Sequence, residues 1–321
     1  MKTKIAVLDD YDSSVSKLKC WSALPSHFSV DFFSSAQDPA KLPTNLKDYE
    51  VLVTIRERTI ITRDFLNQLP NLKHLAVTGR LSGQADLEEL KKRGIAASYT
   101  DGSGQAPTEL TIALLLGIAK RIHDRHNEVK SGGWQIGPAI GLSGKTLGVL
   151  GLGRIGAKVA QFGKLMGMDV VSWGPTDDKG RSQKLGVRRT TLDEVLLISD
   201  FLCVCLRLSD STRTLLTRPK LSLMKNGASI INTSRAEIIE KQALYAELSS
   251  GRISAALDVF HQEPLPAEDP VRKFPNVLLS PHMGYVTGEV YETFFTQVVE
   301  NITAWSSGKP YRDALEVGKL S

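Results

Sequence analysis

Three residues in the second half of the chain, Arg235, Glu263 and His282, are of the types that hold a carboxylate and move one proton. Each follows a short apolar run: residues 228–232 precede the arginine, 255–259 the glutamate and 277–279 the histidine. In an open parallel α/β sheet, side chains just past the strand ends collect in the crevice where ligands bind. A guanidinium there can grip a carboxylate through two parallel hydrogen bonds and polarise the neighbouring carbonyl. A carboxylate beside an imidazole favours the protonated ring, so Glu263 next to His282 would make a proton donor for work near neutral pH. Singly, each reads as an ordinary loop residue. Following three strand ends of one sheet, they read as a site.

Upstream, Gly151-Leu152-Gly153-Arg154-Ile155-Gly156 follows an apolar strand and opens a helix whose Ile155, Val159, Phe162 and Met166 mark one face. The glycines permit a tight turn, close approach of a pyrophosphate and close helix–strand packing. The helix N-terminus adds free N–H groups and a positive dipole end. The order strand, glycine loop, helix lifts this short motif above a chance turn. A dinucleotide beside an arginine, a carboxylate and an imidazole implies hydride transfer. The ribose hydroxyls call for an acid about twenty residues on, at the end of the second strand. Residues 169–173 instead run into Gly174-Pro175, and Asp169 lies at the wrong end. That leaves NADP open, with Arg181, Arg154 or Arg207 as partners for its 2′-phosphate. The choice between NADP and NAD leans slightly to NADP.

The pattern of the chain supplies a scaffold for these groups. In the first hundred residues, runs at 5–8, 30–33, 51–54 and 74–78 read as strands, and 62–69 and 87–93 as helices, the second closed by Gly94. Such alternation argues parallel βαβ units. Residues 107–123 read as one helix that Thr108 can cap, apolar nearly all round and so buried between domains or subunits. A second α/β unit starts at Lys145, with strands at 146–150, 170–173, 201–206, 228–231, 255–258 and 277–279. An amphipathic helix over 286–305, with Val290, Phe294, Val298 and Ile302 on one stripe, could return to the first domain.

Composition narrows the function. A chain of 321 residues, 41% hydrophobic and 23% charged, fits two soluble globular domains. The net charge of +5 comes from scattered lysines and arginines, which argues against a nucleic-acid partner. No stretch approaches the roughly 20 apolar residues of a membrane span. The N-terminal apolar run is too short for a signal-peptide core and reads as a first strand. Three cysteines without C-x-x-C spacing suggest neither a disulfide framework nor a zinc site, in keeping with a reduced, cytoplasmic setting. His123 and His126 sit one helical turn apart near a solvated helix end, so no metal is expected. His261 lies in a Pro-rich loop and reads as a surface or cofactor-adjacent residue. Arg56-Glu57-Arg58 reads as a solvated loop that could also meet an anionic substrate.

Four segments carry a resemblance: Gly148-Val149-Leu150-Gly151-Leu152-Gly153-Arg154-Ile155-Gly156, Ile231-Asn232-Thr233-Ser234-Arg235, Ala256-Leu257-Asp258-Val259-Phe260-His261-Gln262-Glu263-Pro264 and Ser280-Pro281-His282-Met283-Gly284. In order and spacing they resemble the D-isomer-specific 2-hydroxyacid dehydrogenase family over nearly the whole chain. The resemblance implies that Arg235 binds the substrate carboxylate and carbonyl, that His282 is the acid/base, and that Glu263 tunes and orients it. Asp258 would face the nicotinamide carboxamide. The coenzyme site would draw on Gly151, Gly153, Arg154, Ile155, Gly156, Gly174, Arg207, Thr233 and Asp258. Backbone N–H groups after Thr78, in the loop of Arg80, Leu81 and Ser82, would hold the substrate.

The implied architecture is α/β with two doubly wound parallel-sheet domains. A Rossmann dinucleotide-binding domain, residues 105–284, is inserted in a flavodoxin-like substrate domain made of 1–104 and a return helix in 285–321, and the helix 107–123 lies at a homodimer interface. The chain departs from the family pattern at Arg80, Leu81 and Ser82, at Cys205 and Arg207 where histidine and proline are usual, and at Ala236 in place of glycine. The expected activity is hydride transfer between NAD(P)H and a 2-oxo acid or its D-2-hydroxy acid. The alternative is a dinucleotide-sensing, corepressor-like binding protein on the same fold. Such proteins carry extended disordered tails, whereas this chain ends at Ser321, soon after its last helix.

Overall fold

The computed structural model describes residues 2–34, 46–81, 85–176, 178 and 180–317. Its contacts divide the chain into two units, Met1–Ser103 with Val286–Ser321, and Gly104–Tyr285.

In the first unit, β1 (Thr3–Val7), β2 (Phe28–Phe32), β3 (Val51–Thr54), β4 (His74–Val77) and β5 (Ala96–Ser98) form one parallel sheet in the order β2-β1-β3-β4-β5. This is the flavodoxin-like winding. β3 and β4 are buried at every position, as the strands of a sheet covered on both faces must be, and that is why they read as unbroken apolar runs. β5 escaped the sequence reading because Ala96, Ala97 and Ser98 carry almost no apolar signal; pairing with β4 makes it a strand. The helix Gly288–Ser306 belongs to this unit and buries Tyr291, Phe294, Phe295, Val298, Val299 and Ile302. Thr287 caps it by accepting from the Val290 N–H, and Asn301 Nδ2 donates to the Tyr99 carbonyl at 2.9 Å.

The second unit holds β6 (Thr146–Leu150), β7 (Asp169–Trp173), β8 (Arg188–Arg189), β9 (Phe201–Val204), β10 (Ser229–Asn232), β11 (Ser254–Leu257) and β12 (Val277–Leu279). They pair in parallel in the order β12-β11-β10-β9-β6-β7-β8. This is a Rossmann-type sheet, whose strand order reverses at β6, where the glycine loop leaves. β8 was not anticipated, because an exposed Arg188-Arg189 pair has no strand signature of its own.

The helix expected over 107–123 differs at both ends. It spans Gln105–Lys120, and the Thr108 hydroxyl donates back to the Gly104 carbonyl at 2.8 Å instead of capping N–H groups. Arg121 adopts a left-handed φ of 52° and ends it; the chain then resumes as a helix over Ile122–Lys130. Cys203 is buried in β9 and all three cysteines are free thiols. Among the described residues, no helix is long and apolar enough to cross a membrane.

Candidate active site

Asn232, Leu257 and Leu279 stand in register at the carboxyl ends of three adjacent parallel strands, β10, β11 and β12. Arg235, Glu263 and His282 lie in the loops that leave this edge. His282 Nδ1 and Glu263 Oε2 are 2.6 Å apart, and the Phe260 N–H donates to Glu263 Oε1 at 2.8 Å. The carboxylate thus holds one ring nitrogen and leaves Nε2 as the atom that can exchange a proton with a ligand. The two side chains keep 20% and 32% of their surface exposed, enough for a small molecule to reach them. The Tyr285 ring stands edge-on to His282, with centroids 5.7 Å apart.

His282 has a left-handed φ of 55°. For a residue with a Cβ this costs about 1–2 kcal/mol, so something must hold it. Asp258, at the end of β11, does so. Its Oδ1 accepts from Ser280 Oγ at 2.6 Å and from the Met283 N–H at 2.7 Å, and its Oδ2 from the Gly284 N–H at 3.1 Å. Burial pushes the Asp258 carboxyl above the usual carboxylate range, and these donors oppose the shift. The family resemblance turns Asp258 toward the nicotinamide carboxamide. In this structure Asp258 is 1% exposed and its carboxylate is engaged by the turn that carries His282.

Arg235 is presented by a second turn. The buried Asn232 side chain accepts from the Ser234 N–H at 3.0 Å and donates to the Arg235 carbonyl at 3.1 Å, while Ser234 Oγ donates to the Leu206 carbonyl. Arg235 Nη1 donates to the Ser234 carbonyl at 2.7 Å. Ala236 opens a short 3-10 turn and does not have a positive φ, so its methyl group fits where glycine is usual. Sequence reading passed over Asn232 and Ser280. The available signal was a polar residue closing or following an apolar strand.

The glycine loop has the form a pyrophosphate needs. Gly151 has a φ of 94°, and a Cβ on Gly156 would lie 1.9 Å from the Gly151 carbonyl oxygen, so neither tolerates a side chain. A Cβ on Gly153 would meet nothing within 4 Å: the loop faces open space at the N-terminus of the helix Arg154–Leu165. The Arg154 side chain lies along Gly104, and Ile155 packs on the core of this unit. Thr233 Oγ1 is 2.6 Å from Thr111 Oγ1. Arg207 is exposed beyond β9. Arg181 Nε donates to the Asp178 carbonyl at 3.0 Å. The guanidinium against Gly174 belongs to Arg189, which the sequence did not single out.

Other expected residues fall elsewhere. In the first unit, Arg80 donates from Nε and Nη2 to Asp101 Oδ1 at 3.2 and 3.1 Å, and Leu81 packs on the core; Ser82 lies outside the described residues. His261 Nε2 is 3.1 Å from the Ile239 carbonyl, and burial lowers its pKa. Among the described residues no group of three His, Cys, Asp or Glu is placed to hold a metal.

A family model described as D-isomer specific 2-hydroxyacid dehydrogenase, NAD binding domain, matches residues 112–284. The chain is 35% identical over 303 residues to a glyoxylate/hydroxypyruvate reductase B of Yersinia enterocolitica, covering 89% of this chain and 90% of the relative. Its structure resembles that of a phosphoglycerate oxidoreductase from Vibrio cholerae, with a TM-score of 0.91 and 37% identity over 95% of this chain and 99% of the other. It also resembles a D-lactate dehydrogenase from Aquifex aeolicus complexed with NAD and lactic acid. There the TM-score is 0.78 and the identity 26%, over 95% of this chain and 96% of that one.

Proposed function

Because the chain belongs to the D-isomer specific 2-hydroxyacid dehydrogenase family, we propose that it reduces small 2-oxo acids to D-2-hydroxy acids through Arg235, Glu263 and His282. The observation that carries this reading is the 2.6 Å contact between His282 and Glu263 at the same sheet edge as Arg235. A nicotinamide coenzyme, when bound, would supply the hydride. Arg235 binds the substrate carboxylate and stabilises the negative charge that develops on the carbonyl oxygen, an interaction whose removal typically costs about 10²–10³ in rate. His282 delivers its proton to that oxygen from Nε2. Glu263 fixes which nitrogen faces the substrate and stabilises the protonated ring until transfer. Asp258 and Asn232 hold the two turns in place.

Gly151, Gly153, Arg154, Ile155 and Gly156 would hold the pyrophosphate, with Thr233 and Arg207 bordering the coenzyme. The missing acid at Gly174 favours NADP over NAD. Backbone N–H groups around Arg80, Leu81 and Ser82 are the proposed substrate contacts of the first unit. Glyoxylate and hydroxypyruvate are the first acids to try, since the Yersinia relative is named for them. A homodimer is inferred from the exposed apolar side chains of Ile122, Val129 and Trp134, at 57%, 51% and 75% exposure, and sedimentation would read it directly. The three free thiols suit a cytoplasmic setting.

Oxidation of NADPH and NADH, followed optically with these acids, pyruvate and bulkier 2-oxo acids, tests the reading. Arg235→Ala and His282→Ala should each lower turnover by about 10²-fold or more while the fold survives. Near-normal activity in either variant would sink it.

A further inference from the structure

At the end of β7 the side chain that would hold a ribose hydroxyl is missing, and another group has taken its neighbourhood. β8 pairs with β7 so that Arg189 stands opposite Ser172. The Arg189 Nη2 donates to the Gly174 carbonyl at 2.9 Å and to the Thr176 carbonyl at 2.8 Å. Its Nη1 lies 3.9 Å from the point a Cβ on Gly174 would occupy. Two bonds to main-chain carbonyls fix the guanidinium against the strand end where NAD enzymes of this fold carry an acid.

An acid does stand nearby, but it is turned inward. Asp178 Oδ2 is 3.7 Å from Arg189 Nη1, and its side chain is only 7% exposed against 33% for the arginine. Its Oδ1 accepts from the Gly180 N–H and its Oδ2 from the Ser182 N–H, both at 3.0 Å. Both oxygens of Asp178 are thus engaged by the turn that follows β7. Among the described residues, Arg189 is the more exposed charge of this pair at the strand end.

We propose that Arg189, reaching over from the edge strand β8, selects the coenzyme by pairing with the 2′-phosphate of an NADP-type dinucleotide beside Gly174. A guanidinium suits this task because its planar fork matches phosphate oxygens, and with Nη2 anchored its Nη1 lies 3.9 Å from the Gly174 Cβ position. The proposal rests on the coenzyme preference given above and adds the residue that produces it.

Calorimetric titration of the full-length protein with 2′,5′-ADP and with 5′-AMP tests it without turnover. The two probes present the adenosine ribose with and without its 2′-phosphate. The wild type should bind 2′,5′-ADP more tightly by about 10- to 100-fold, the range of a hydrogen bond to a charged group. That margin should shrink as salt is raised. Arg189→Leu should abolish the margin and leave 5′-AMP binding within about threefold. Gly174→Asp, whose Cβ would meet nothing closer than 3.9 Å, should reverse it by placing an acid at the ribose and beside Arg189. Retention of the margin by Arg189→Leu overturns the role of Arg189 while the NADP preference stands. Equal weakening of both probes also overturns it, since that marks a structural role. A wild type without any margin refutes the NADP preference itself, and Arg189 with it.

Discussion

Replacing Asp258 with alanine tests how His282 is held. Three donors reach this carboxylate, from Ser280 Oγ, Met283 N–H and Gly284 N–H, and they bracket a histidine at a φ of 55°. Removing the carboxylate orphans two backbone N–H groups, at about 1–3 kcal/mol each. Relaxing His282 out of the left-handed region returns about 1–2 kcal/mol. Both effects push the same way, so the turn should leave its present geometry even though Glu263 still holds Nδ1. A reacting group misplaced by about 1 Å loses about 10²-fold in rate, which is the expected fall in kcat. The lost bonds should also lower Tm by about 5–10 °C. Asp258→Asn, which keeps one acceptor but sets an N–H₂ against the turn's donors, should fall between. It carries a pH signature as well. Burial raises the folded-state pKa of Asp258, so between the unfolded and folded values the folded chain holds a proton the unfolded chain has released. Stability from this group therefore falls as pH rises through the window between the two values, and Asp258→Asn should remove that fall. The assay is kcat at saturating coenzyme, together with thermal unfolding and amide-exchange protection at Met283 and Gly284. A kcat within about threefold of wild type would refute the reasoning. So would a raised coenzyme KM at unchanged kcat, which would point to a nicotinamide contact instead.

Other consequences are as direct. Glu263→Gln keeps an acceptor for the Phe260 N–H but loses the charge beside His282, so kcat should fall by about 10²-fold with little change in Tm; an unchanged kcat would remove Glu263 from the mechanism. Gly153→Ala should fold normally, because its Cβ meets nothing within 4 Å, yet bind coenzyme poorly; Gly156→Ala should fail to fold well, its Cβ being 1.9 Å from a carbonyl oxygen. Equal thermal stability of the two variants would contradict this. His74 is wholly buried on β4, with Nε2 2.9 Å from Ser98 Oγ and its ring 4.7 Å from that of Trp305. Burial pushes its pKa down from 6.5 to about 3. The unfolded chain therefore takes up a proton that the folded one refuses, and stability should drop by about 2 kcal/mol between pH 7 and pH 5. Urea unfolding of His74→Leu should lack that drop; parallel curves for the two proteins would show that His74 is not the cause.

Much of the scaffold was legible because parallel strands covered on both faces are unbroken apolar runs, so β3, β4, β6, β9 and β10 announce themselves. The strands that escaped were β5, made of alanine and serine, and β8, made of two arginines. Each becomes a strand only through its neighbour. The break at Arg121 was hidden because the residues around it remain good helix formers.

The same division runs through the site. The residue types of Arg235, Glu263 and His282, their places after apolar runs, and the glycine loop are local properties, so the sequence alone determined the chemistry on offer. Which loops meet was decided by strand order. β10, β11 and β12 lie side by side in register, and that adjacency brings a carboxylate to an imidazole 19 positions along the chain. It also brings Asp258 to a turn up to 26 positions away, and pairing of β8 with β7 carries Arg189 to Gly174. A hydrogen bond depends on distances of about 3 Å in space. Local pattern limits which residues can make one, but only the packed sheet decides which of them arrive.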